Sequence, residues 1–172
     1  WANYTQGIDI SHWQGTIDWA KVAASGKRFA FMKASEDDDF VDDRYQTNRA
    51  QAKAKGLFVG AYHFARPELP PTDLAGDAAI DAIAEADHFI DTATPQSGEL
   101  IPVLDLEQTG GLDVADLRLW VRAFLERVYE RTEVRAAIYV SPSFWSTKMG
   151  NDPTFAADGY QLVMAGHTHG GQ

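Results

Sequence analysis

The stretch LIPVLDLEQTGG, residues 100 to 111, ends an apolar run with two acids one residue apart, Asp105 and Glu107. In an extended strand, residues two apart project from the same face with Cα atoms roughly 6.5 to 7 Å apart, so both carboxylates can address one bound molecule. Neighbouring carboxylates repel, and the repulsion raises the proton affinity of one of them. One protonated and one ionised carboxyl is the division of labour that cleavage of a glycosidic bond requires. Phosphoryl transfer would instead require metal ligands.

Four other apolar runs end in polar groups: Asp9, Ser11 and His12; Lys33, Ser35 and Glu36; Tyr62 and His63; Tyr139 and Ser141. Each alone has an ordinary explanation, as a solvated strand end or a helix-capping serine. Together they are harder to explain structurally. Burying a carboxylate without a partner costs on the order of several kcal/mol, and this set would gather at least three acids on one rim. Trp13, Tyr62 and Trp145 accompany the acids. Sugar rings stack their apolar faces on such side chains, although the five tryptophans would serve a core equally well.

Positioning these groups falls to short β-like runs separated by helical segments. The runs are residues 7–11, 28–35, 57–64, 100–107, 134–141 and 160–166. In DVADLRLWVRAFLERVYER, residues Val114, Leu117, Val121, Phe124, Leu125 and Val128 follow helical spacing behind Asp113 as N-cap. A second helix is expected from about Asp42 to Lys55, stopping at Gly56, and an Ala-rich third follows LPPTD and runs to about Thr92, with residues 68–72 as a loop. Several runs are apolar on both faces, as parallel strands under helices should be, which favours an α/β barrel or a doubly wound sheet over a sandwich. In either architecture the site gathers at the carboxyl ends of the strands, where the polar groups stand.

Composition bounds the function. A chain of 172 residues with 45% hydrophobic content supports one domain, residues 1–172, with a sizeable core. The formal charge of −10 offers no basic footprint for nucleic acid. The absence of cysteine excludes disulfides and thiol chemistry while leaving the compartment open. No run approaches the roughly 20 apolar residues needed to cross a bilayer, and the sequence opens at Trp1 without a basic and apolar leader. The expectation is a soluble, processed chain with no membrane partner.

The motifs GIDISHWQG (7–15), FAFMKASE (29–36), GAYHFARP (60–67), PVLDLE (102–107) and IYVSPSFW (138–145) together resemble the N-acetylmuramidase lysozymes of glycoside hydrolase family 25, in that family's order and spacing. The resemblance implies a modified TIM-like α/β barrel. It also implies cleavage of the β-1,4 bond between N-acetylmuramic acid and N-acetylglucosamine in bacterial peptidoglycan, with no metal or cofactor. It makes Glu107 the proton donor, Asp105 the group supporting the reacting sugar and Asp9 the third acid, with Lys33, Glu36, Tyr62 and Tyr139 lining the groove. The nucleophile of the second step stays open between Asp105 and the substrate's own acetamido group. The family carries a further acid in a late strand, so this chain is expected to lack the last one or two barrel strands. A catalytically weak or inactive peptidoglycan-binding fragment is therefore an alternative. The substrate implies an extracellular site of action, by secretion or lysis, and a monomer is expected.

A rival rests on the tail VMAGHTHGGQ, which resembles the last metal-binding motif of calcineurin-type metallophosphoesterases through His167 and His169. The other elements of that family are absent or wrongly spaced, and two histidines make a poor site for a hard metal. The tail is expected to be a strand followed by a loop, with no metal.

Overall fold

The computed structural model describes residues 4–69 and 77–164. Six parallel strands, β1 (Gly7–Ile10), β2 (Phe29–Glu36), β4 (Phe58–Phe64), β5 (Val103–Asp105), β6 (Ala137–Val140) and β7 (Leu162–Met164), lie side by side in that order. A two-residue strand, β3 (Phe40–Val41), turns back antiparallel on the end of β2. The sheet curls into a half-barrel whose edges, among the described residues, are β1 and β7.

Alternation along each strand sorts the side chains. Ile10, Ala30, Met32, Val59, Leu104 and Ile138 face outward and are buried beneath helices. Their neighbours in sequence, including Asp9, Phe31, Lys33, Tyr62, Val103, Asp105 and Tyr139, face inward onto a groove of about 970 Å³. At Gly60, next to Phe31 in register, an added Cβ would meet the Phe31 ring at 2.6 Å. The missing side chain therefore lets the ring lie across the groove floor.

The outer layer is built from α1 (Trp19–Ala24), α2 (Tyr45–Ala54), α3 (Asp77–Ala93), α4 (Val114–Thr132), α5 (Pro142–Lys148) and α6 (Thr154–Ala157). In α4 the carboxylate of Asp113 accepts the amides of Ala115 and Asp116, and the apolar stripe from Leu117 to Val128 is fully buried. Each such side chain contributes about 1.5 to 3 kcal/mol relative to exposure. Between α3, α4 and the sheet, Phe124 stacks on His63 at 5.1 Å and on Trp120 at 5.5 Å, while Trp120 donates to the carboxylate of Asp81 at 2.6 Å.

Several elements differ from the reading of the sequence. The second helix starts at Tyr45, because the Asp42 carboxylate is taken up by the amides of His12 and Arg44 and by the His12 ring. The strand carrying the paired acids spans three residues rather than eight. Pro102, just before it, has no amide to donate, and the paired strand ends at Asp105. The helical turn at His12–Gln14, α1, β3, α5 and α6 were not anticipated, although Asp18 caps α1 and Ser141 with Pro142 opens α5. Most of the expected 68–72 loop, the start of the Ala-rich helix, and His167 and His169 lie outside the described residues. Among the described residues no helix is long and apolar enough to cross a membrane.

The turn after Glu107 packs onto the one after β4. Gly110 has a φ of 57°, and a Cβ there would collide with the carbonyl of Pro67. Gly110→Ala should therefore cost roughly 2 kcal/mol, lowering the melting temperature by several degrees. A thermal melt equal to that of the wild type would contradict this close approach.

Candidate active site

Asp105 ends β5 facing the groove. Leu106 turns outward, fully buried, with its amide donating to the Tyr139 carbonyl at 2.9 Å, and Glu107 returns to the groove. Asp9 from β1, Lys33 from β2, Tyr62 from β4 and Tyr139 from β6 line the same cavity, so five strands contribute to one wall. Trp13, 81% exposed, stands at its edge with its ring 4.7 Å from that of His12.

Electrostatics separate these groups. Burial, and next the charge of Glu107, push the Asp105 carboxyl up to about 8, so it holds a proton at neutral pH. Its Oδ1 is buried and has no hydrogen-bond partner among the described residues. Burial, with the charges of Asp105 and Asp9, also raises the Tyr62 phenol, which stays protonated. In the free protein a raised proton affinity thus falls on Asp105, whereas the expected donor is Glu107.

Glu36 does not line the cavity. It stands behind Lys33, paired with that ammonium and with the Arg66 guanidinium, whose Nε donates to Glu36 Oε1 at 2.7 Å. Burial alone would raise its carboxyl, but the hydrogen bonds from Lys33 and Arg66 hold it below its ordinary value. Lys33 is itself buried, with its ammonium 4.8 Å from the Phe64 ring centroid.

Other members of the expected rim are engaged by the protein itself. His63 lies on the opposite face of the sheet, fully buried, 2.9 Å from Ser35 Oγ and 2.6 Å from Glu85 Oε2. Burial lowers His63 to about 3 and raises Glu85 to about 9, so at neutral pH the contact is a hydrogen bond between uncharged groups rather than an ion pair. Ser141 caps α5, while Ser11 lines the groove and also caps the turn carrying Trp13. Trp145 is buried edge-on against Phe155 at 5.6 Å, a core residue and not a groove aromatic.

The sequence reading passed over Arg66, Gln108, Asp42 and Glu85. Arg66 sits inside GAYHFARP and Gln108 follows Glu107, but their partnership at 2.7 Å crosses 42 residues and leaves no local signal. Among the described residues, no group of three or more His, Cys, Asp or Glu side chains could hold a metal ion.

Residues 8–165 match the family profile described as Glycosyl hydrolases family 25. The chain is 37% identical over 155 residues to a lysozyme of Streptomyces globisporus, covering 85% of this chain and 49% of that protein. It is 33% identical over 162 residues to an N,O-diacetylmuramidase of a Chalaropsis species, covering 87% and 72%. In structure it is similar to the lysozyme of Streptomyces coelicolor, with a TM-score of 0.80, 34% identity and coverage of 92% of this chain and 72% of that one. The chain thus spans about half the length of the S. globisporus relative.

Because the folded Asp105 carboxyl is raised from 3.8 to about 8, the folded state holds more protons than the unfolded state across that window, and stability falls as pH rises through it. Asp105→Asn, which cannot ionise, should gain melting temperature relative to the wild type between pH 4 and pH 8 and level off above. A difference that stays constant with pH would refute the raised proton affinity.

Proposed function

The chain belongs to glycosyl hydrolases family 25, and on that premise we propose that it is the catalytic domain of a muramidase. The reaction is hydrolysis of the β-1,4 bond between N-acetylmuramic acid and N-acetylglucosamine in bacterial peptidoglycan, outside the cytoplasm and without a metal. The observation that carries this reading is the convergence of Asp9, Asp105 and Glu107, with Tyr62 and Tyr139, on one wall of a groove large enough for a glycan strand.

In this reading Glu107 protonates the leaving oxygen while Asp105 supports the reacting sugar. The pair must then bind one proton between them and place it on Glu107 in the complex. The unpartnered Oδ1 of Asp105 suggests how. An acetamido N–H of the bound sugar donating to that oxygen would stabilise the Asp105 carboxylate and leave the proton to its neighbour. Asp9 adds negative charge beside the developing oxocarbenium ion, and the exposed ring of Trp13 offers a stacking face for a pyranose.

Turbidity of a suspended bacterial cell wall provides the test. Clearing by the wild type should follow a bell-shaped pH profile, survive EDTA and be lost by at least about a hundredfold in Glu107→Gln, the scale of general acid catalysis. Glu107→Gln that clears walls as well as the wild type would remove the assigned acid, and a fold that binds walls without clearing them would be a binding module instead. Trp13→Ala should raise KM for the polymeric substrate several-fold with kcat nearly unchanged, and an unaltered KM would exclude the stacking role.

A further inference from the structure

Arg66 lies two residues beyond β4 and does not line the groove. Its guanidinium nevertheless joins the ends of three strands. Nε and Nη2 engage Glu36 Oε1, at the end of β2, at 2.7 and 2.5 Å. Nη1 donates at 2.7 Å to Oε1 of Gln108, the residue after Glu107. The other oxygen of Glu36 takes the Lys33 ammonium, which in turn faces Asp105 electrostatically.

The arginine is itself held from below. Its amide donates to Glu85 Oε2 at 3.1 Å, the same oxygen that meets His63, and the Phe64 ring lies 5.1 Å from the guanidinium carbon. The next residue, Pro67, has its carbonyl packed against Gly110 in the turn that follows Glu107. Backbone anchor, planar fork and close-packed turn thus act on one short segment.

We propose that Arg66 is a positioning residue for the acid cluster, holding the Glu107 turn and the Glu36–Lys33 pair in register with β4. Its effect on catalysis rests on the muramidase reading, whereas its effect on the turn concerns the free protein. A lysine cannot substitute, since a point charge on a flexible stem does not satisfy Glu36 and Gln108 in the fixed geometry of a fork. Charge adds a second consequence. Removing a cation near a coupled carboxyl pair makes both groups harder to ionise, and removing the Glu36 carboxylate makes them easier to ionise.

Three measurements on Arg66→Met, Arg66→Lys and Glu36→Gln test this: amide hydrogen exchange, carboxyl carbon NMR titration of Asp105 and Glu107, and reducing-end release from purified peptidoglycan. Arg66→Met should speed exchange at residues 108–111 by about tenfold or more, leave the core amides of β4 unchanged, and move the pair's titration to higher pH. Glu36→Gln should move it to lower pH. Arg66→Lys should keep the titration near that of the wild type without restoring protection of the turn. Both Arg66 variants should lose about tenfold in kcat with KM little altered. Exchange at 108–111 that matches the wild type, exchange that rises equally across the sheet, or full recovery by lysine would overturn the proposal. A wild-type protein that releases no reducing ends would sink the muramidase reading alone, leaving exchange and titration to decide on Arg66.

Discussion

The alternation of side chains across a parallel sheet governs this molecule. One face must be sealed by helices, because parallel strands joined by helical crossovers have their connections packed there. Every second residue is thereby committed to the core, and its neighbours are delivered to the groove. Asp9, Lys33, Tyr62, Asp105 and Tyr139 occupy inward positions on five strands, while the residues between them are almost all apolar and buried. A one-residue slip in any of these five strands would bury a charge or a phenol hydroxyl and expose part of the core.

The exception proves instructive at the end of β2. The pairing of β2 with β4 runs Lys33 to Tyr62 and then skips to Ser35 with His63, an irregularity that absorbs Ala34. The skip resets the alternation. Ser35 is carried to the outer face, where it meets the His63 ring, and Glu36 comes round beside Lys33. Bulges of this kind commonly re-aim side chains next to active sites. Here one irregularity creates both the buried Ser35–His63–Glu85 chain and the charged Lys33–Glu36–Arg66 chain.

Those two chains show opposite solutions to burying polar groups. Beneath the helices, removal from solvent penalises the charged form of each group, so His63 and Glu85 give up their charges and remain as hydrogen-bonded neutral groups. At the strand ends Glu36 stands between Lys33 and Arg66, whose hydrogen bonds favour its ionised form, so each cation has a carboxylate within reach. Asp105 lies between these regimes. It is enclosed enough for its proton to be retained, and its Oδ1 has no hydrogen-bond partner among the described residues.

Much was legible from the chain alone: the apolar runs, the amphipathic α4 with its Asp113 cap, and the two-residue spacing that places Asp105 and Glu107 on one wall. These are local properties, fixed by periods of two and 3.6 residues. The family followed from five ordered motifs, again a property of the string. What the string could not specify was any pairing between distant residues. His63 and Trp145 look like groove residues until the sheet's curl and helix packing assign them to the core. The proton's place on Asp105 depends on enclosure by other strands, and Arg66 acquires its role only when the ends of β2, β4 and β5 are brought together. Sequence determined which chemical groups were available and on which face each strand could offer them. Tertiary structure decided which of them share a proton, a charge or a hydrogen bond, because those energies depend on distance and burial rather than on order along the chain.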